Sequence, residues 1–256
     1  MTRRKLVSAA LAAPLAVAAA PDAPQQILLL RRYQLRNSAD NMASALGGYL
    51  ESSRKPALER AGVKGIAFFT AFVAPDSPFY LALESYPSLA AMEQTMAKIA
   101  EDKLYQGQRA ALNKAPGLRY VRFSTQILRG FSGFPGVVTP AASKTPRLFE
   151  LRTYESNSTQ SLSEKIRMFN EGEIRIFKET GLAPVFFGET LYGERQPNLT
   201  YMLWYDDLAA RDANWKKFLA HPDWAKLKAT PGWSDAEIVS NISSSLLRGL
   251  PFSPIK

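Results

Sequence analysis

The chain has 256 residues, 46% of them hydrophobic and 21% charged, enough to bury a core in one large domain or two ordinary ones. It has no cysteine, which excludes disulfides, thiolate catalysis and cysteine-held metal clusters. The formal net charge is +9, but there is no lysine-rich run and no nucleic-acid motif, so a nucleic-acid partner is not expected.

Residues 1–20 read as a signal peptide. Arg3-Arg4-Lys5 precede an alanine-rich apolar run from Leu6 to Ala20, and Val17-Ala18-Ala19 offers a small-residue cleavage site. The run is too short for a stable membrane span. The arginine pair and the weak hydrophobicity fit a twin-arginine leader as well as ordinary secretion. A mitochondrial presequence is the competitor, but its basic residues would be spread along an amphipathic helix. The expected location is therefore periplasmic or extracellular, and no later stretch is long and apolar enough to span a membrane.

The next expected unit covers 26–131. Its opening strand contains Leu29-Leu30-Arg31-Arg32-Tyr33. Gly47-Gly48 and Pro56 interrupt its first helix, which should break near Lys55 and restart. A four-residue surplus relative to the later unit lies between Tyr105 and Pro116. Residues 132–146 are rich in Gly, Pro and Ser and read as a linker. The second unit covers 147–248, followed by a tail at 249–256. Its elements are a strand at 148–154, a helix near 161–180 with a Ser161/Glu164 capping box, a strand at 182–190, a turn at 193–198 and a strand at 199–205. A second helix, capped by Asp206 or Asp207, runs to about 220, and a last strand covers 237–246.

Four landmarks recur in one order. Leu30-Arg31-Arg32-Tyr33 matches Leu151-Arg152-Thr153-Tyr154, and Glu59–Val63 matches Lys178–Leu182. Tyr86–Ala91 matches Tyr205–Ala210, and Ile127–Phe131 matches Leu246–Leu250. Such a repeat marks a duplicated unit. The order βαββαβ is that of the split βαβ motif. One helix layer covers only one face of such a sheet, yet Val185-Phe186-Phe187 and Thr200–Trp204 are apolar on both faces. The expected class is therefore α+β: two tandem ferredoxin-like units packed sheet to sheet.

The second unit resembles a NIPSNAP domain. The resemblance is carried by Glu150-Leu151-Arg152-Thr153-Tyr154, Gly181, Met202–Arg211 and Pro222-Asp223-Trp224. The first unit is similar but diverged: Ser85 replaces the tryptophan, and Tyr105 stands where Trp224 stands. The resemblance implies a dimeric α+β barrel made within one chain. It implies little chemistry, since family members mostly lack an assigned biochemical role and animal members are mitochondrial proteins linked to vesicle traffic and organelle quality control. It supplies no catalytic residues to carry over.

Glu150, Arg152 and Tyr154 share one strand face. If that face lines the barrel, they form a polar cleft; otherwise they are a satisfied ion pair beside a packed tyrosine. Trp204, with Tyr205, Trp215, Trp224 and Trp233, is either core or one wall for a flat apolar ligand between the sheets. Residues 27–131 hold 14 Lys/Arg against 8 Asp/Glu, whereas 147–256 hold 14 of each. Arg31, Arg32, Arg119 and Arg122, from neighbouring strands of the basic half, are an anion-site candidate; the alternative is edge protection by charge. His221, the single histidine, is either a haem ligand, as in related barrels, or a partner of the last carbonyls of its helix. No nucleotide motif, triad or metal cluster is visible, so no cofactor and no metal are expected. The expected partner is a small apolar or anionic molecule, with a homo-oligomer left open. The expected function is small-molecule binding or a structural role; the alternative is a cofactor-independent monooxygenase or isomerase with Tyr154 or Glu150 handling protons.

Overall fold

A computed structural model describes residues 23–143 and 145–256; the expected signal peptide lies outside them. The first half runs β1 (Ile27–Gln34), α1 (Met42–Tyr49), a π-helical turn (Leu50–Arg54), α2 (Lys55–Arg60), β2 (Gly65–Val73), β3 (Phe79–Tyr86), α3 (Leu89–Glu101), α4 (Lys103–Lys114) and β4 (Arg122–Gly130). The second runs β5 (Leu148–Glu155), α5 (Thr159–Met168), a π-helical turn (Phe169–Glu173), α6 (Ile174–Thr180), β6 (Ala183–Tyr192), β7 (Asn198–Tyr205), α7 (Leu208–Leu219), α8 (Pro222–Lys228), α9 (Asp235–Ile238) and β8 (Asn241–Gly249).

Local chemistry sets most boundaries. Pro56 sits in the first turn of α2, directly after the π-helical turn. Ser88, Asp102 and Asp207 cap α3, α4 and α7 by accepting backbone N–H bonds from Ala91, Tyr105 and Ala210. Gly181 closes α6 at φ 83°, a conformation open to glycine at no steric cost. Three expectations need correction. The cap of α5 is Ser158, not Ser161, and Glu164 instead accepts a bond from Trp233. A capping box does exist, but between Ser234 and Glu237. It makes 235–238 a helical turn, so β8 starts at Asn241 rather than 237. Finally, the first helix does not break near Lys55: its backbone stays helical from α1 through the π-helical turn into α2.

The strands form one closed antiparallel barrel in the order β1-β3-β2-β8-β5-β7-β6-β4. Each half supplies four adjacent strands, and the halves join through β2–β8 and β4–β6. An α+β barrel within one chain is what the resemblance implied; what needs correction is the packing read from the strand pattern, since the two sheets join edge to edge and do not stack as open sheets face to face. Free edges would leave rows of backbone donors and acceptors unpaired, and closure removes them. It also removes the edge-protection reading for the arginines.

Alternation along each strand divides the side chains between the barrel interior and the outer face under the helices. Leu28, Leu30, Phe69, Leu83, Phe149, Val185, Met202 and Leu247 fill the interior, and the Phe69 and Phe149 rings lie 4.9 Å apart there. Outside, α1–α4 cover one half and α5–α9 the other, each with its own apolar core. Among the described residues no helix is long and apolar enough to cross a membrane.

Candidate functional site

Glu150 on β5 pairs in register with Leu203 on β7, whose neighbours Tyr201 and Tyr205 pack in the helix-side core. Glu150, Arg152 and Tyr154 therefore come together as expected, but under the helices and not inside the barrel. The interior positions of that strand are Phe149, Leu151 and Thr153.

The Glu150 carboxylate is wholly buried. It accepts bonds from Arg152 (2.8 Å), Arg211 (2.8 and 2.9 Å), Tyr205 (3.0 Å), Trp215 (3.2 Å) and Ser244 (2.8 Å). Burial alone would raise its pKa. Arg211, Arg152 and Ser244 outweigh burial and pull it down to about 2. Arg152 stacks on Trp215 at 4.7 Å and also donates to Tyr154, whose hydroxyl accepts from Tyr201 at 2.9 Å. A carboxylate so fully engaged, and ionised at neutral pH, is a structural anion and not a proton carrier. Beside it, Lys165 is buried with Glu173 at 3.1 Å. Its ammonium lies 5.1 to 5.6 Å from the Phe169, Tyr154 and Trp224 ring centroids. The polar set anticipated in the second half is thus a closely packed, buried knot.

The first half repeats the plan with different contents. Leu29 takes the place of Glu150, and the carboxylate moves across to Glu84 on β3, which pairs with Leu29. Tyr86 donates to Glu84 as Tyr205 does to Glu150. The cation comes from the π-helical turn: Arg54 binds both oxygens of Glu84 at 2.9 Å. That turn lies 119 residues before its counterpart, where Glu173 occupies the place of Arg54.

Arg31, the counterpart of Arg152, is left without a carboxylate. It lines an open cleft of about 530 Å³ between the outer face of β1–β4 and helices α1 and α4. One wall is aromatic. Tyr33, Tyr120 and Phe123 have ring centroids 5.6 to 5.9 Å apart, and the Arg31 guanidinium lies 5.2 Å from the Phe123 centroid. On the other side the Tyr49 and Tyr105 hydroxyls meet at 2.6 Å. Burial holds Tyr33 protonated by raising its pKa, against the pull of Arg31. Burial and the Tyr105 hydroxyl do the same for Tyr49. Arg109 and Arg119 complete the rim. Among the described residues, no carboxylate lies within 4 Å of Arg31, Arg109 or Arg119.

The four arginines of the basic half do not converge. Arg32 points the other way from Arg31, into the end of the barrel. There it stacks on Phe79 at 3.9 Å and donates to the Pro75 and Asp76 carbonyls. The cavity at that end is small, about 160 Å³. Arg122 stands opposite Gln34 at the rim on the same strand face as Ser124. Arg119 binds four backbone carbonyls that follow α4 or lie in its last turn. Trp204 faces the barrel interior beneath Arg147, whose guanidinium lies 4.4 Å from its centroid, away from the Glu150 set. Trp215, Trp224 and Trp233 belong to the helix-side core. His221 is the N-cap of α8; its backbone N–H donates to the Phe218 carbonyl at the end of α7, but its side chain bonds none of the last carbonyls of that helix. Its Nδ1 accepts from the Asp223 N–H at 3.2 Å, and its Nε2 faces Glu179 at 3.4 Å. With both nitrogens engaged, it does not fit an axial haem ligand.

Sequence reasoning missed Tyr49, Tyr105, Arg109, Tyr120 and Phe123. Two signals pointed to them: the charge excess of the first half and the surplus residues after Tyr105, which lengthen α4 along the cleft.

Barrel and sites together define a single-chain α+β barrel with one filled and one open helix–sheet cleft. Two solved structures share this fold. One, from Lactobacillus acidophilus, is provisionally named a monooxygenase; it is 11% identical, with a TM-score of 0.56 over 87% of this chain and 93% of that one. The other, from Fusobacterium nucleatum and provisionally named likewise, is 8% identical, with a TM-score of 0.54 over 88% and 93%. A NIPSNAP-like domain protein from Burkholderia xenovorans is 19% identical over 42% of this chain and 89% of its own, with a TM-score of 0.38. No curated protein matches the sequence. The family model described as NIPSNAP matches residues 149–254: the second half of the chain is a NIPSNAP domain.

Proposed function

We propose that this protein binds a small molecule in the cleft of its first half, while the NIPSNAP half is a filled partner that completes the barrel. The two halves are read as a duplicated ferredoxin-like unit, one copy keeping its cleft open and the other filling it. The observation that carries this reading is the contrast at one structural position. Arg152 is neutralised and covered, whereas Arg31 looks into open space of about 530 Å³, a size that suits a drug-sized ligand. The test uses 2-naphthol, a neutral fluorescent probe. Saturable binding to the protein, lost when Asn113 on the cleft-facing helix is replaced by Trp, supports the reading. Binding unchanged by Asn113→Trp places the probe elsewhere and ends it.

A second reading, a cofactor-independent monooxygenase or isomerase, draws support from the shared fold and from the hydrogen-bonded Tyr49–Tyr105 hydroxyl pair beside the cleft. Glu150 and Tyr154 take no part in it. Oxygen uptake on addition of 1,4-dihydroxynaphthalene, abolished by Tyr105→Phe, is the result it requires.

We also propose export, on the strength of Arg3-Arg4-Lys5 and the apolar run after it. Fractionation of cells carrying the full chain tests it. Retention inside the cell when both arginines become lysine marks the twin-arginine route.

A further inference from the structure

Resting on the reading of the first cleft as a binding site, we infer that its ligand is a planar aromatic anion, of the class of aryl carboxylates, clamped by Arg31 against the ring of Phe123.

Charge is the first argument. Arg31 donates its Nε–H to the Thr125 hydroxyl over a long 3.3 Å, and its other side-chain neighbour is the Tyr33 hydroxyl, whose proton it loosens. Neither partner is an anion, so the donor pair suited to a carboxylate meets no carboxylate of the described residues. Arg109 and Arg119 add charge of the same sign at the rim. Three guanidinium groups around one cleft repel each other, and the neighbouring carboxylate does not relieve this: Glu84 is held on both oxygens by Arg54. A ligand anion would relieve it, with the two parallel N–H···O bonds that a guanidinium offers a carboxylate.

The second half supplies an internal comparison. At the matching position Arg152 does receive a carboxylate, at 2.8 Å, and its flat face is covered by the Trp215 ring. The protein itself therefore shows what satisfies an arginine at this place in the fold: one anion and one aromatic plane. In the first half the chain provides neither Glu150 nor Trp215, because Leu29 and Met96 stand there. An aryl carboxylate supplies both groups in one molecule.

Shape is the third argument. Tyr120 and Phe123 are 37% and 50% exposed, so the aromatic wall presents ring faces and edges to solvent that a planar ligand would cover. Rings prefer offset or edge-on neighbours about 5 to 6 Å away, the spacing already set within the Tyr33–Tyr120–Phe123 cluster.

The experiment compares two probes of the same ring system, 2-naphthoate and 2-naphthol, titrated into the protein at neutral pH and followed by fluorescence. Naphthoate is expected to bind at least about ten-fold more tightly, and its affinity to fall with added salt. Arg31→Gln is expected to remove that ten-fold preference while leaving 2-naphthol binding within about two-fold. Arg109→Gln, an exposed position that does not threaten folding, should weaken naphthoate about three-fold and leave naphthol unchanged. Equal affinity for the two probes, both lost in Asn113→Trp, would overturn the anion and leave the cleft standing. Absence of binding by either probe would overturn both. A preference for naphthoate that survives Arg31→Gln and Arg109→Gln together would also overturn the assignment, since the charge would then be read elsewhere.

Discussion

The two halves of the barrel set a common order of strands and helices around different interiors. In the second, an acid on the first strand gathers Arg152, Arg211, Tyr205, Trp215 and Ser244 around it, and the space beneath the helices closes. In the first, the acid has crossed to the third strand and is held by an arginine from the π-helical turn, and the arginine it might have neutralised faces a cavity. The position of one carboxylate relative to an arginine on the first strand of each half, Arg31 or Arg152, thus separates a filled scaffold from an open site. Both halves keep the tyrosine that bonds to their acid, Tyr86 and Tyr205. Both also keep the π-helical turn, at equivalent places, so the scaffold is common and only the filling differs.

That comparison can be broken most severely at Glu150. Glu150→Gln strands two guanidinium groups that were compensated, and should lower stability by roughly 3–5 kcal/mol, read as a shift of the urea midpoint. Glu84→Gln strands only Arg54 and should cost less. Equal losses would mean that the denser network of the second half carries no extra weight. Phe177→Ala should cost about 3–4 kcal/mol, because its ring meets Phe169, Trp215 and Phe218 in the closed half.

Acid offers a gentler probe. The folded pKa of Glu150 lies below its unfolded value, so its contribution is complete above about pH 4.5 and drains away as the pH falls toward 2, reaching about 3 kcal/mol. Tryptophan emission, reporting on Trp215 beside the carboxylate, should follow that loss, and Glu150→Gln should flatten this part of the acid profile. The smallest effect is expected at the open site. Arg31→Gln should change stability by less than about 0.5 kcal/mol, whereas Arg152→Gln, which leaves a hole in the Glu150 network, should cost several times more. A large stability loss at Arg31 would make it a structural residue and dissolve the contrast.

The sequence determined a good deal by itself. Caps and glycines are local devices, so Asp207 and Gly181 mark boundaries that the structure keeps. The alternating strands and the recurring landmarks gave the α+β class and grouped Glu150, Arg152 and Tyr154 on one face. What a pattern of period two cannot say is which face is inside. That depended on the barrel closing through β2–β8 and β4–β6, pairings between residues more than 50 positions apart in the chain. Closure turned Glu150 toward the helices, put Arg31 on the helix side and Arg32 at the end of the barrel, and placed Tyr105 and Arg109 of α4 across from Phe123 of β4. Side-chain direction follows from local geometry, but whether a side chain meets protein or empty space is fixed only when distant segments pack. For that reason the open cleft belonged to the tertiary structure alone.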